Sequence, residues 1–198
     1  MTVEQETRPG TTARSRTLTV SEVVQETKDS VSIAFEVPDE IVDDFKHLPG
    51  QFITLKIPSD QTGHVARCYS LSSSPHVDDF RLEIGVKRTD GGYASNWLCD
   101  NVFVGMELTV LTPSGKFTAK SLDVDMLFFA GGSGITPVLS LVKSALVSGG
   151  GNVVLFYANR DADSIMYERQ LQQISSEFAE RFTSVSYTHL TLPTSDLV

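Results

Sequence analysis

The first segment with side chains suited to ligand chemistry reads Arg67-Cys68-Tyr69-Ser70-Leu71. In a β-strand, alternate side chains share a face, so Arg67 and Tyr69 can reach one ligand. An arginine can bind a pyrophosphate, an aromatic ring can pack on a flat heterocycle, and a hydroxyl such as that of Ser70 can hydrogen-bond its edge. Taken alone, the segment is equally compatible with an ordinary barrel strand that has Cys68 packed behind it.

A second segment, residues 86–98, reads VKRTDGGYASNWL. Its paired glycines allow the backbone to approach a ligand closely, and Ser95 is predicted at the start of a short helix, where its hydroxyl and free amide groups can bind an anion. The structural alternative is a glycine turn followed by a capped helix. Such a turn needs no cations, however, and Lys87 and Arg88 stand beside it.

A third segment, residues 130–137, reads AGGSGITP and lies between an apolar run and a helical pattern. A glycine-rich loop in that position can hold a dinucleotide phosphate at the start of the helix. The segment has neither the G-x-G-x-x-G spacing of the Rossmann fingerprint nor the Lys-Ser/Thr pair of a P-loop. On its own it is weak support for a nucleotide site.

Two kinds of secondary structure must position these segments. Up to about residue 111 the chain alternates apolar and polar residues in short runs separated by turns, which predicts a small antiparallel barrel of about six strands. The predicted strands are residues 18–24, 31–37, 51–57, 68–72, 81–86 and 107–111.

The pattern changes after residues 112–115. Two continuous apolar runs, residues 126–130 and 153–157, are predicted as strands buried on both faces, and each is followed by a helical pattern, the second over residues 164–178. This alternation indicates a parallel α/β sheet. The fold class is therefore a β barrel followed by an α/β unit.

The C-terminal segment departs from this organisation. Residues 185–194, VSYTHLTLPT, resemble the in-frame translation of a sequencing-library adapter. The alternative is a genuine third strand, because residues 182–187 alternate. We expect a flexible leader at residues 1–16, the barrel at 17–118, the N-terminal half of a nucleotide domain at 119–184, and read-through sequence at 185–198.

Together and in this order, the three segments resemble the ferredoxin-NADP reductase superfamily, in which R-x-Y-S and G-x-x-S mark a six-stranded Greek-key FAD barrel and G-x-G-I-T-P opens a nicotinamide domain. The runs ARCYSL, VKRTDGGYASNWL and YANRD are most similar to reductase components of 3-ketosteroid 9α-hydroxylases and phenylacetyl-CoA epoxygenases. The resemblance covers residues 18–184.

The resemblance implies roles for individual residues. Arg67 would bind the FAD pyrophosphate, Tyr69 would pack on the isoalloxazine and Ser70 would hydrogen-bond near its N5. The other FAD-binding residues that it implies are Leu71, Gly85, Val86, Lys87, Gly92, Ala94 and Ser95. The nicotinamide nucleotide would contact Gly132, Gly134, Thr136, Pro137, Asn159 and Arg160. Tyr69, Ser70 and Thr136 are the expected catalytic residues, although the chemistry itself belongs to the cofactors.

The implied activity is that of an NAD(P)H-dependent flavoprotein reductase that transfers hydride to FAD and electrons to an iron-sulfur centre of an oxygenase component or ferredoxin. Any [2Fe-2S] domain would lie C-terminal to this chain. Arg160, followed by Asp161 and Asp163, favours NADH. The alternative is a non-catalytic flavin-binding electron-transfer or regulatory subunit, which need not retain the third segment.

Composition excludes other classes. With 16 Lys plus Arg against 25 Asp plus Glu, the chain has a formal net charge of -9, so we expect no nucleic-acid or membrane partner. The longest apolar run, residues 126–130, is far shorter than the roughly 18 residues of a membrane helix. Two cysteines without a secretory segment predict a cytoplasmic protein, and the scattered histidines predict no metal site.

Overall fold

The computed structural model describes residues 14–78 and 81–188. Its N-terminal part is an antiparallel sheet of six strands. They are β1 (Ser15–Thr27), β2 (Ser30–Glu36), β3 (Phe52–Ser59), β4 (Gly63–Ser70), β5 (Leu82–Lys87) and β6 (Glu107–Ser114), in the order β4-β3-β6-β1-β2-β5. Helix α1 (Tyr93–Asn101) connects β5 to β6, and a 3-10 helix over Asp39–Phe45 connects β2 to β3.

The outer strands β4 and β5 approach each other and close the sheet into a barrel. Leu71, just after β4, forms an isolated antiparallel bridge with Ile84, and the Ser72 amide donates to the Glu83 carbonyl at 2.8 Å. Alternate residues of every strand except β4 fill a continuous apolar core. The predicted antiparallel barrel is confirmed.

Several element boundaries differ from those predicted, among them the following three. β4 begins at Gly63 rather than at Cys68 because it pairs with the whole of β3; its exposed residues 63–68 lack the apolar alternation that would have marked them as a strand. β1 begins at Ser15, within the predicted leader, because it pairs with Leu111 of β6, while residues 1–13 lie outside the described residues. Helix α1 begins two residues before Ser95, at Tyr93.

The C-terminal part is a parallel sheet of three strands in the order β7-β8-β9. Its elements are β7 (Met126–Gly131), α2 (Ile135–Ser148), β8 (Val153–Asn159), α3 (Glu168–Glu177) and β9 (Phe182–Thr188). Both helices pack on one face, where Leu155, Tyr157 and Phe182 are buried. The opposite face exposes Leu127, Phe129 and Phe156, so the prediction that β7 and β8 are buried on both faces is wrong for the described residues.

The structure describes part of the segment, residues 185–198, that we expect to be read-through sequence. β9 extends through Thr188 and pairs with β8 along its length, while residues 189–198 lie outside the described residues. Either origin of residues 185–198 is compatible with the pairing of residues 185–188, so the read-through interpretation stays a prediction.

Side chains of α2 join the two parts. Ser140 Oγ donates to the Ser73 carbonyl at 2.6 Å, and the Ser144 and Ser74 hydroxyls are 2.8 Å apart; Ser73, Ser140 and Ser144 are all buried. The barrel therefore presents a defined surface to the parallel sheet. Within residues 14–78 and 81–188, no helix has the length and apolar character needed to cross a bilayer.

Candidate functional site

The three segments singled out in the sequence meet at one open cleft of about 560 Å³, within the roughly 300–1,000 Å³ of typical ligand pockets. Strands β4 and β5, the turn before α1 and the turn before α2 all contribute to its walls. The lining residues are Arg67, Cys68, Tyr69, Ser70, Gly85, Lys87, Thr89, Gly91, Gly92, Tyr93, Ala94, Ser95, Ser133 and Thr136.

Strand β4 supplies one wall. Arg67 is exposed, and its guanidinium contacts only the neighbouring Ala66 carbonyl, at 2.8 Å, among the hydrogen bonds of the described residues. Tyr69 is half-buried against the barrel core; burial, reinforced by Cys99 and opposed by Arg67, raises the pKa of its phenol to about 12. The ring is therefore neutral at physiological pH. Ser70, the last residue of β4, is partly buried beside it.

Cys68 does not pack behind this segment as predicted. It is exposed, and its sulfur lies 3.4 Å from Thr54 Oγ1. The physical reason is that Cys68 pairs with Thr54 of β3, so it lies on the face of the sheet opposite the buried core residues Ile53 and Leu55. Cys99 and Trp97 of α1, in contrast, pack against the barrel core.

Strand β5 supplies the second wall. Gly85 lines the cleft, and a Cβ added there would lie 2.5 Å from Tyr167 Oη and 2.6 Å from Thr136 Oγ1. The absence of a side chain thus allows the C-terminal part to approach the barrel. Val86 is fully buried and Lys87 is held by protein groups, so β5 presents mainly backbone to a ligand.

The turn before α1 is fixed by its own side chains. Ser95 Oγ accepts the Thr89 amide at 3.1 Å, and Asn96 Nδ2 donates to the Thr89 and Gly92 carbonyls at 3.0 and 2.6 Å. Ser95 lies in the first turn of α1 and still has its own hydroxyl proton to donate. A Cβ at Gly92 would lie 2.9 Å from the Thr89 Cβ, so the turn requires glycine.

The turn before α2 is held in a comparable way. Thr136, which is buried, donates its hydroxyl to the Ser133 carbonyl at 2.9 Å, and Tyr157 of β8 donates to the Gly132 carbonyl at 3.0 Å. The outer side of this turn is open, because a Cβ at Gly132 or Gly134 would meet no atom within 4 Å. Pro137 is half-buried in the first turn of α2.

Some predicted site residues lie outside the cleft lining, namely Leu71, Val86, Gly132, Gly134, Pro137, Asn159 and Arg160. Leu71 is fully buried in the barrel core. Asn159, the last residue of β8, is 2% exposed on the helix-covered face, and neither of its amide atoms has a hydrogen-bond partner in the described structure. Arg160 is exposed, and its guanidinium binds Asp29 of the barrel at 2.6 Å.

Sequence reasoning missed the residues that connect the parts behind the cleft. Tyr167 is 1% exposed, has a left-handed backbone at φ 60°, and interrupts the helical pattern predicted over residues 164–178. Its amide donates to Glu26 Oε2 at 3.0 Å, and burial raises the pKa of Glu26. No sequence signal marks these residues, because their environment is created by two distant chain segments.

The residues present fit a bound flavin dinucleotide. Of the two cations that line the cleft, Arg67 has no carboxylate partner among the described residues, whereas Lys87 lies 3.6 Å from Asp29. A free guanidinium that lines the same cleft as the Ser95 hydroxyl and the start of α1 is a suitable donor for a pyrophosphate. The neutral Tyr69 ring offers a surface for a flat heterocycle.

Comparison with known proteins gives consistent results. Residues 17–119 match the family described as oxidoreductase FAD-binding domain, and residues 128–195 match the oxidoreductase NAD-binding domain. The chain is 56% identical over 186 residues to the ferredoxin reductase component of 3-ketosteroid-9-alpha-monooxygenase from Rhodococcus rhodochrous, covering 93% of this chain and 53% of that protein. It is 32% identical over 168 residues to one of the subunits of 1,2-phenylacetyl-CoA epoxidase from Escherichia coli K12, covering 83% and 46%.

Solved structures agree on the fold. The Amycolatopsis cytochrome P450 reductase GcoB aligns with a TM-score of 0.75 at 26% identity, covering 89% of this chain and 53% of that one. The FAD/NAD-binding domain of a Vibrio cholerae nitric oxide dioxygenase aligns at 0.76 with 22% identity, covering 92% and 81%. The resemblance inferred from the sequence is confirmed.

The chain spans about half the length of the curated relatives named above. Over that span both cofactor-related families are matched in the order that the barrel and the parallel sheet follow in the structure. The chain belongs to the oxidoreductase FAD-binding domain family, with an oxidoreductase NAD-binding domain following the barrel.

Proposed function

We propose that this protein is an NAD(P)H-dependent flavoprotein reductase that passes electrons to an iron-sulfur centre of a multicomponent oxygenase. The observation that carries the proposal is the composition of the cleft, which takes Arg67, Tyr69 and Ser70 from the barrel and Ser133 and Thr136 from the turn before α2. A flavin held by the first group would face a nicotinamide held by the second. A cleft that only stores flavin has no need of the second group.

The residues of this chain supply binding and orientation. Arg67 and the Ser95 hydroxyl bind the pyrophosphate, Tyr69 packs on the ring system, and Ser70 donates to its edge. When bound, FAD supplies the capacity to accept a hydride from NAD(P)H and to release electrons singly. Thr136 has a positioning role. Its hydroxyl donates to the Ser133 carbonyl and so fixes the turn that receives the nicotinamide.

Several features support the wider biological setting that we propose. The relatives named above include the ferredoxin reductase component of a monooxygenase and a component of an epoxidase, so an oxygenase component or a ferredoxin is the proposed electron acceptor. Any [2Fe-2S] domain of the protein would lie outside this chain. Both cysteines are free thiols, which fits a reducing cytoplasm.

Anaerobic titration with NADH tests the function. The FAD-loaded protein, expressed with its full natural reading frame, should lose its visible flavin absorbance when NADH is added. Flavin that stays oxidised with both NADH and NADPH would refute the reductase and favour the non-catalytic flavin-binding protein.

Substitution of Arg67 tests the flavin site. Arg67→Ala removes a charge-assisted contact of roughly 1.5–3 kcal/mol, so FAD affinity should fall about tenfold or more. Arg67→Lys keeps the positive charge but lacks the planar guanidinium, so its FAD affinity should lie between those of the wild type and of Arg67→Ala. The measurement is flavin retained after gel filtration, and unchanged retention in Arg67→Ala would rule out this pyrophosphate site.

A further inference from the structure

A carboxylate of the barrel binds two cations, Lys87 of the cleft lining and Arg160 outside it. Asp29 lies between β1 and β2, its side chain is 19% exposed, and it lies 2.6 Å from Arg160 and 3.6 Å from Lys87. Thr27 Oγ1 donates to it at 2.7 Å. Burial acts to raise the pKa of Asp29, but the Thr27 hydrogen bond and the two cations outweigh burial and lower it, so the carboxylate is charged at neutral pH.

The position of Arg160 gives this contact a functional meaning. Arg160 directly follows β8, at the carboxyl edge of the parallel sheet, and β7 ends at the same edge in the open glycine turn. In parallel α/β sheets, dinucleotides bind at this edge: an acidic residue there binds a free ribose 2'-hydroxyl, whereas an available arginine accepts a 2'-phosphate. The partner of Arg160 therefore bears on which coenzyme is accepted.

We propose that Asp29 is a coenzyme-specificity residue: by binding the Arg160 guanidinium, it removes the cation that a 2'-phosphate would need and makes the protein select NADH over NADPH. The inference rests on the proposed reductase function and deepens it. It also explains how a sheet edge that carries an arginine can serve a coenzyme without a 2'-phosphate.

The surrounding charges act in the same direction. Asp161 and Asp163 follow Arg160 in the chain and are exposed. With Asp29 they make three carboxylates against the two cations Lys87 and Arg160. A doubly charged 2'-phosphate would therefore meet a net negative group, although salt screens the exposed members more strongly than the half-buried Asp29.

A structural role for Asp29 makes a different prediction. If Asp29 only pins the barrel to the parallel sheet, its removal should slow flavin reduction by both coenzymes to the same extent. If Asp29 keeps the Arg160 guanidinium from binding a 2'-phosphate, removal of Asp29 should raise the use of NADPH selectively. The ratio of kcat/KM for NADPH to that for NADH separates the two roles.

The experiment uses the FAD-loaded protein with its full natural reading frame and measures flavin reduction at varied NADH and NADPH. Asp29→Asn keeps the shape of the side chain and releases Arg160, so the NADPH-to-NADH ratio should rise on the order of tenfold, equivalent to about 1.4 kcal/mol. The double variant D29N/R160A should lose that gain. Asp44→Asn is the matched control, because it breaks a 2.6 Å pair with Arg16 away from the cleft lining and should leave the ratio unchanged.

Arg160→Ala provides a second test that does not depend on the folding of Asp29→Asn. In the presence of Asp29, Arg160→Ala should leave the NADPH-to-NADH ratio unchanged, because the guanidinium is already engaged; a selective loss of NADPH use would overturn the inference. An unchanged ratio in a folded Asp29→Asn protein would overturn it as well. Wild-type flavin that neither coenzyme reduces would refute the proposed function, and the inference with it.

Discussion

Replacing Gly85 by alanine is the sharpest test of how the two parts meet at the cleft. The backbone of Gly85 does not have a positive φ, so alanine is conformationally allowed there. The added Cβ would nevertheless lie 2.5 Å from Tyr167 Oη and 2.6 Å from Thr136 Oγ1, distances that real Cβ atoms essentially never show. Both neighbours are buried, so neither can turn away into solvent.

The expected cost follows from this overlap. Adding a methyl group to a filled interior typically costs roughly 1–3 kcal/mol, and two simultaneous contacts point to about 2 kcal/mol of lost unfolding free energy. Of the displaced residues, Thr136 fixes the turn before α2 through its hydrogen bond to the Ser133 carbonyl, and this turn lines the cleft. Because a shift of about 1 Å in a reacting geometry can cost about 100-fold in rate, flavin reduction by NADH should slow by about tenfold for a shift half as large.

Chemical denaturation and stopped-flow flavin reduction measure the two effects. Tyr167→Phe removes the oxygen that the new methyl meets, so the double variant G85A/Y167F should recover about 1 kcal/mol relative to the sum of the single changes. Gly131→Ala is the control for stability, since a Cβ there meets nothing within 4 Å. If Gly85→Ala were as stable as the wild type, or if the double variant showed no coupling, the packing argument would be wrong.

Two further predictions follow from contacts near the cleft. Burial raises the pKa of Glu26 above 4.5, so the stability that protonated Glu26 contributes is fully present below pH 4.5 and is lost as the pH rises through the folded-state pKa. Glu26→Gln should therefore flatten the decline of the unfolding free energy from acidic to neutral pH, measured by urea unfolding. An unchanged dependence of the unfolding free energy on pH would contradict this. Ser95→Ala removes the acceptor of the Thr89 amide, so it should cost about 1 kcal/mol in unfolding free energy and weaken FAD retention, whereas full retention in a correctly folded variant would exclude Ser95 from the flavin site.

The barrel and the order of its site segments could be predicted because they rest on local patterns. Alternation in β2, β3, β5 and β6 places the apolar residues of each strand on the face that fills the barrel core, and the glycine turn between β7 and α2 is marked by composition alone. Each of these patterns lies within a few consecutive residues, so it can be recognised in the sequence without knowledge of the fold. β4 was half missed because its residues face a ligand cleft and solvent rather than the core.

The site could be predicted as a set of segments but not as a set of contacts. Arg67, Tyr69, Ser70 and Ser95 line the cleft, because a motif carries its own residue types, and their roles in FAD binding stay predictions. Leu71 and Asn159 do not line it, because the side to which each residue turns depends on which face of its strand is covered. Which face is covered is decided only when the sheet packs against its neighbouring elements.

What the sequence by itself determined is the identity of the segments that meet at the cleft and the two kinds of sheet that hold them, since residue type and spacing encode both. Only the tertiary structure decided the partners of the charged and buried groups. Asp29 meets Arg160 across 131 positions of sequence, and Tyr167 meets Glu26 across 141. Electrostatic and packing energies depend on distance in space, and at such separations the folded chain alone sets that distance.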